Sequence, residues 1–427
     1  MPEDIREWTV KMKREIGRVL GDVQPFLDSI PERIKVTSGA TASLPRSKAQ
    51  PYKKLRLKNV ECTVACRPYY EWLAEIYGYD SREVTYKRCT GNRITTVPKN
   101  WKTERTIACE PTGNLPFQLA FDSYIKDRLT LVGVTLRDQS KNQRLAKRAS
   151  MEDDLATIDL SMASDTVSYS VVEALLPDDW FEFLTDIRSG FGNAFGTTRV
   201  YSKFSTMGNA TTFGLETLIF VAAVRVFERN PDLYAVYGDD IILPSQYTES
   251  FTKLMRFLGF HINHDKSFST GPFRESCGAD WYRGIDVTPC YITFKVRGKP
   301  GLCHVVNSLV RIATPEGELS WLLRDITIRN NLPLAPFGGG TLGAVFIDTQ
   351  AAYRHKKVRQ HKSQTMQQRV YTPRSRNRKV RGEWAYILWC IEASHMDREL
   401  RSADPLVLLG WGCDADEVLT RLGFCAA

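Results

Sequence analysis

Two apolar runs, Leu233-Tyr234-Ala235-Val236 and Ile241-Ile242-Leu243, flank the bend Tyr237-Gly238-Asp239-Asp240. Short β-like runs on either side of a Gly-containing bend fold as a hairpin, so two carboxylates are forced side by side at its tip. Adjacent like charges repel and stabilise nothing by themselves. A divalent metal removes that penalty, and hard oxygen ligands suit Mg²⁺, whose sites usually combine one or two carboxylates with substrate phosphates. The bend alone also fits a solvated turn, for Asp-Asp beside Gly is common turn chemistry.

The rest of the chain must decide between these readings. With 427 residues, 43% of them hydrophobic, it is long enough for two or three packed subdomains. A formal charge of +9 favours a polyanionic partner such as nucleic acid. No apolar stretch approaches the ~20 residues of a membrane helix, and Met1-Pro2-Glu3-Asp4 lacks a signal-peptide layout, so no membrane partner and a cytosolic location are expected. Ten cysteines are scattered singly without a C-x-x-C pair and read as reduced, mostly buried thiols. His261, His264 and Asp265 match no zinc spacing.

Residues 1–30 carry a helical pattern through Ile5, Trp8, Met12, Ile16, Val19 and Leu20. A loop is expected from Ile34 to Ser47, continuing into the basic segment Lys48 to Lys58. Lys99, Lys102 and Arg105 recur every three residues around Trp101, so several cations could converge on one anion, a triphosphate being the natural guess. Leu115 to Leu131 reads as helix, and Lys141, Arg144, Lys147 and Arg148 form a second basic cluster.

Leu155 to Asp159 reads as a short buried strand ending in an acid, followed by small residues and Asp165. A carboxylate there needs a partner, which makes Asp159 the third metal ligand beside Asp239 and Asp240. Ser205 to Thr217, with Gly208 and Asn209, is a small, hydroxyl-rich loop running into an apolar helix from Leu218 to Phe227. Its small residues permit close backbone approach to a ligand or template, and Asn209 can hydrogen-bond a sugar hydroxyl. A helix is expected from Phe251 to Phe260, a polar stretch around Lys266, a strand at Tyr291 to Phe294, and mainly helix over 300–335. Arg354 to Arg381 holds eleven Lys or Arg and no Asp or Glu, which favours contact with RNA over solvated disorder. Trp384 to Leu422 reads as helix-like.

The order of these pieces resembles the motif series of palm-domain polymerases. Val97-Pro98-Lys99-Asn100, Asp159-Leu160-Ser161 through Asp165, Ser205 through Asn209, Tyr237 through Ser245, Gly271-Pro272-Phe273-Arg274-Glu275-Ser276-Cys277-Gly278 and Asp286-Val287-Thr288-Pro289 resemble the replicase catalytic subunit of positive-strand RNA bacteriophages of the Qβ type. The likeness extends from about residue 15 to about 295. Family members usually carry a sizeable N-terminal region before the point where this chain begins, which suggests a compact relative or a shortened form.

The resemblance implies an α+β fold shaped as a right hand. Residues 1–154 would be fingers, 155–290 a palm with an antiparallel sheet and a fingers insertion near 167–204, and 291–427 a thumb with a basic, helical C-terminal region. It implies RNA-templated RNA synthesis from ribonucleoside triphosphates in the cytoplasm of a bacterial host. Two Mg²⁺, with Mn²⁺ as a possible substitute, would be held by Asp159, Asp239 and Asp240. Asp165 and Asn209 would check the ribose 2′-hydroxyl, Ser205 and Gly208 would be further substrate-binding residues, and Lys266 would donate a proton to pyrophosphate. Host elongation factors Tu and Ts and a ribosomal RNA-binding protein are implied as partners beside the RNA template and product. The alternatives are a reverse transcriptase and a non-catalytic basic RNA-binding protein.

Overall fold

Amphipathic periodicity at the N-terminus becomes two helices in the computed structural model, which describes residues 2–76, 85–99, 102–194, 196–290, 298–310, 312–314, 316–336, 344–347, 358–360 and 366–368. The first, α1 (Glu3–Leu20), buries Ile5, Met12, Ile16, Val19 and Leu20 along one face. It stops at Gly21, whose φ of 71° is left-handed. The chain continues through α2 (Gln24–Arg33), α3 (Pro51–Lys54), β1 (Asn59–Cys62), α4 (Arg67–Ile76), β2 (Thr85–Arg88), β3 (Asn92–Pro98), β4 (Glu104–Cys109), α5 (Leu115–Thr130) and α6 (Ser140–Glu152). Then come β5 (Leu155–Ser161), α7 (Ala163–Thr166), α8 (Tyr169–Leu175), α9 (Asp178–Ile187), β6 (Phe191–Ala194), β7 (Thr197–Val200) and α10 (Thr212–Arg225). The last elements of this unit are β8 (Ala235–Tyr237), β9 (Asp240–Pro244), α11 (Thr248–Phe257), β10 (His261–Ile262), β11 (Phe273–Ser276), β12 (Ala279–Tyr282) and β13 (Ile285–Asp286).

The chain divides into two compact units, Met1–Thr288 and Pro289–Ala427. Residues 1–154 and 155–288 therefore share one unit, because helices from both stretches contribute to one core.

At the centre of that core lies α10, apolar on all sides and buried from Thr212 to Val224 apart from Phe213, which is half-buried. α1 packs along it, with Trp8 edge-on to Phe227 at 5.1 Å between ring centroids. Glu15 of α1 accepts a 2.5 Å hydrogen bond from Arg225, and Arg225 donates to Tyr234 at 2.8 Å, tying α1 and α10 to the hairpin approach. Burial raises the Glu15 carboxyl, but Arg18 and Arg225 outweigh it and hold the group below its ordinary value.

Four strands form an antiparallel sheet in the order β10-β5-β9-β8. A second sheet runs β4-β3-β6-β7, so strands from 191–200 extend the hairpin made by β3 and β4. A three-stranded meander, β11-β12-β13, packs on α6. It is fastened to the central sheet by Arg274, which is fully buried and donates to the carbonyls of Leu155, Gly271 and Phe273 and to Asp153.

Several sequence expectations shift. α10 begins at Thr212 rather than Leu218, directly after a turn in which the Asn209 side chain accepts from Thr211 N and Oγ1. The basic segment after Ser47 contains α3, and Lys54 is buried with its ammonium donating to Thr37 O at 2.8 Å. In the second basic cluster, Lys141 donates to Gly133 O, Lys147 lies over the Trp281 ring, and Arg148 pairs with Glu152 and Asp154. Those three cations have internal partners. The described cysteines are free thiols, and Cys62, Cys66, Cys109 and Cys303 are buried.

The second unit contains α12 (Gly298–Val310), α13 (Glu318–Arg329) and the strand pairs β14 (Leu334–Pro336) with β15 (Val345–Ile347) and β16 (Val358–Gln360) with β17 (Met366–Gln368). Cys303, Val306, Leu323, Leu332 and Val345 form its small core. The expected strand at Tyr291–Phe294, most of the basic run 354–381 and the helix-like end from Trp384 lie outside the described residues. Among the described residues no helix is long and apolar enough to cross a membrane.

Candidate active site

The β5–β9 register sets the centre of the site. Leu155 to Ile158 are buried against Ile241 to Pro244, and the next pair in the ladder is Asp159 opposite Asp240. Asp159 lies within β5, two residues before its end. Its Oδ2 accepts from Asn263 Nδ2 at 2.7 Å, and its backbone N–H donates to Ser267 Oγ at 3.1 Å. Asp240 Oδ1 accepts from the Cys277 amide at 3.1 Å, and the Cys277 thiol lies against the same carboxyl.

Asp239 lies at the tip of the β8–β9 hairpin. Burial raises its carboxyl above the ordinary carboxylate range, and Asp240 and Asp159 add to the effect while Lys266 opposes it. Burial likewise raises Asp240, with Asp159 adding and Lys266 opposing. Glu275 on β11 is also raised, first by burial and then by Asp240 and Asp280. Lys266 is thus near enough to Asp239, Asp240 and Glu275 to oppose the rise of all three. Sequence pattern did not single out Glu275, although it lies in the stretch Gly271–Gly278 that carries part of the family likeness.

Gly238 has φ 60°, and a Cβ there would lie 2.4 Å from the Phe213 ring. Its amide donates to Thr217 Oγ1 at 3.2 Å, and Tyr237 sits edge-on to Phe213 at 5.2 Å. The carboxylate hairpin is therefore seated on α10, which leaves no room for a side chain at Gly238.

The loop before α10 is placed by β4. Ala108 N donates to Met207 O at 2.7 Å, and a Cβ on Gly208, at φ 115°, would meet Ala108 O at 2.2 Å. The close approach that Gly208 permits is to β4 itself. Ser205 is buried, and its hydroxyl has no hydrogen-bond partner among the described residues. Asn209 is buried with its Oδ1 taken by Thr211, which leaves its amide N–H groups for another acceptor.

Lys99 and Lys102 stand in the turn joining β3 and β4, closed by Lys99 N donating to Thr103 O at 3.0 Å. Arg105 pairs in register with Val97. All three cations are exposed. Burial raises the Asp165 carboxyl, while the charges of Arg105 and Lys203 pull it down, so Arg105 on the basic hairpin is felt at the α7 turn. Lys203 was missed because only the fold carries it to Asp165. No hydrogen bond joins Asp165 to Asn209 among the described residues.

Glu216, one residue before Thr217 on α10, was also missed. It is 2% exposed and accepts from Ser164 Oγ at 2.7 Å. Burial pushes its carboxyl up to about 8, with Asp239 and Asp165 adding to the rise and Ser164 opposing it. The available signal was an acid inside the apolar run Leu215 to Val224.

Asp159, Asp239 and Asp240 suit Mg²⁺ by chemistry: hard oxygen donors, mutually repelling and partly removed from water. Among the described residues no group of three or more His, Cys, Asp or Glu side chains is placed to hold a metal ion by itself.

A strand acid facing a carboxylate hairpin, beside a basic hairpin, sits within a longer match. Residues 4–325 match the family described as RNA replicase, beta-chain, and the chain belongs to that family. It is 37% identical over 412 residues to the RNA-directed RNA polymerase subunit beta of Qbeta virus (strain MX1), covering 93% of this chain and 69% of that protein. Identity is 38% over 358 residues to the corresponding subunit of Escherichia virus Qbeta, covering 80% and 60%. It is 39% over 284 residues to the RNA-directed RNA polymerase beta chain of Escherichia phage MS2, covering 65% and 51%. The chain thus spans about half to two thirds of the length of these relatives. The likeness extends beyond residues 15–295 in both directions.

Proposed function

We propose that this chain polymerises ribonucleotides on an RNA template, replicating a phage genome through the site built on Asp159, Asp239 and Asp240. The observation that carries the reading is the Asp159–Asp240 register pair with Asp239 beside it, an arrangement that costs stability unless a cation is bound. Mg²⁺ bound by these carboxylates, as two ions, would supply Lewis-acid activation of the primer 3′-hydroxyl and charge neutralisation at the triphosphate, and Mn²⁺ would serve as a substitute.

Lys99, Lys102 and Arg105 hold the triphosphate from the β3–β4 hairpin. Asp165 and the unused amide of Asn209 read the ribose 2′-hydroxyl. Gly208 and the buried Ser205 shape the loop that presents Asn209. Lys266, opposite the acids, holds a proton for the pyrophosphate leaving group. In this reading the central antiparallel sheet is the palm, the β3–β4 sheet with its 191–200 extension belongs to the fingers, and residues 291–427 supply the thumb. Host elongation factors Tu and Ts and a ribosomal RNA-binding protein are proposed partners in the bacterial cytoplasm, checked by affinity purification from host extract.

The deciding experiment is incorporation of labelled ribonucleotides on a primed RNA template with Mg²⁺. Asp239→Ala is expected to abolish incorporation while RNA affinity stays within about threefold, since one ligand is lost and the basic surface is kept. Comparable activity in the mutant sinks the site assignment. Incorporation of deoxyribonucleotides instead would identify a reverse transcriptase, and metal-independent RNA binding without incorporation would identify a binding protein.

A further inference from the structure

Two consecutive residues of α10 each grip a different turn of the site. Thr217 Oγ1 receives the Gly238 amide at 3.2 Å and so holds the carboxylate hairpin, while Glu216 receives Ser164 Oγ at 2.7 Å and holds the α7 turn. Ser164 adjoins Asp165. Around the α7 turn the other side-chain bonds are local, from Thr166 Oγ1 to Met162 O and Ala163 O. Among the described residues, Ser164–Glu216 is the one side-chain hydrogen bond that ties residues 162–166 to another element.

The turn needs such a tether. Met162 enters it with φ 51°, a left-handed conformation unfavourable for a residue with a side chain, and is 74% exposed. Glu216, by contrast, lies among the fully buried Leu215, Leu218 and Ile219. A residue serving packing alone would be apolar here, since a buried carboxyl costs free energy and stands near Asp239 and Asp165 besides. What Glu216 adds over a leucine is an acceptor aimed at Ser164.

We propose that Glu216 is a positioning residue for sugar selection, fixing Asp165 through Ser164 so that the 2′-hydroxyl of the incoming nucleotide meets a preset acceptor. The proposal rests on the polymerase reading above. Thr217 makes the parallel bond to the other turn, so the two tethers have separable effects. Loosening Thr217 disturbs the metal-bearing hairpin for every nucleotide, whereas loosening Glu216 or Ser164 disturbs the reading of one hydroxyl.

The test measures kcat and KM for a ribonucleoside triphosphate and its 2′-deoxy counterpart on one primed template. Ser164→Ala and Glu216→Met are expected to lower the ribose preference about tenfold, mainly through a higher KM for the ribonucleotide, the scale of one well-placed hydrogen bond. Glu216→Gln retains an acceptor oxygen and is expected to keep the preference. Thr217→Val is expected to lower kcat for both sugars alike. If Glu216→Met does not fold, Ser164→Ala decides the matter, because it deletes one oxygen from a partly buried turn. A preference unchanged within about twofold in Ser164→Ala, or an equal fall for both sugars, overturns the proposal and leaves the polymerase reading standing. An inactive parent chain overturns both.

Discussion

Asp159 and Asp240 are register partners across β5 and β9, and each accepts a hydrogen bond at one carboxylate oxygen, from Asn263 Nδ2 and the Cys277 amide respectively. Like charges directly opposite one another in a sheet destabilise it by roughly 0.2–1 kcal/mol, and burial adds to the cost of Asp240. Asp240→Asn keeps an oxygen for the Cys277 amide and removes the charge. In EDTA, urea unfolding should show the variant more stable by about 1 kcal/mol, with nucleotide incorporation in Mg²⁺ reduced at least about a hundredfold. A less stable variant would mean that the opposed carboxylates do not repel in the metal-free fold.

Gly238 and Phe213 make the second testable pair. An alanine at φ 60° carries the left-handed backbone cost of about 1–2 kcal/mol, and its Cβ would sit 2.4 Å from the ring. The Gly238→Ala chain should lose about 2–4 kcal/mol of stability in total. Phe213→Leu in the same chain should recover the steric part and leave the backbone part. A double-mutant cycle reads this directly, and strictly additive effects would show that the ring is not what excludes a side chain.

The carboxylate hairpin and the Asp159 strand were legible because both are local: apolar runs and a bend fix them within a few residues. The start of α10 was not, since the Ser205–Thr217 text is rich in loop formers, and the segment from Thr212 is helical where it is buried in the surrounding core. Glu216, Lys203 and Arg274 share another reason. Their partners, Ser164, Asp165 and Leu155, lie 52, 38 and 119 residues away, so nothing in their neighbourhood announces the pairing. Gly208 has the smallness that lets a backbone come close to a ligand or template, and the approach it makes is to the backbone of β4.

The hydrogen bonds Asn209 makes to Thr211 and the sugar reading proposed for it are separable, and two substitutions divide them. Asn209 Oδ1 accepts from Thr211 N and Oγ1 in the turn before α10, while its amide N–H groups remain for another acceptor. Asn209→Ala should cost about 1 kcal/mol of stability, the scale of losing a buried side-chain hydrogen bond, together with ribose preference. Asn209→Asp retains the acceptor for Thr211 and should stay within about 0.5 kcal/mol of the parent, yet lose the same preference for want of a donor. Denaturation and paired ribo- and deoxynucleotide kinetics check both. Full preference in the Asp variant would remove Asn209 from sugar reading.

Glu216 gives the fold a pH dependence whose sign follows from its environment. Burial pushes its carboxyl up to about 8, from 4.5 in the unfolded chain, so between those values the folded state binds a proton that the unfolded state releases. Stability from this group is therefore undiminished below pH 4.5, falls as pH rises towards about 8, and levels off above it. A difference of one pH unit between folded and unfolded pKa corresponds to about 1.4 kcal/mol, so the full effect is several kcal/mol, less whatever local relaxation recovers. Glu216→Gln cannot ionise and should lose this slope. Measured in EDTA, the variant's stability relative to the parent should climb steadily from about pH 5 to about 8, the reverse of an ordinary ion-paired carboxylate such as Glu15, whose contribution is lost on acidification below 4.5. A difference between Gln variant and parent that stays flat over that range would mean that Glu216 ionises freely in the fold, and that the surrounding core does not isolate it from water.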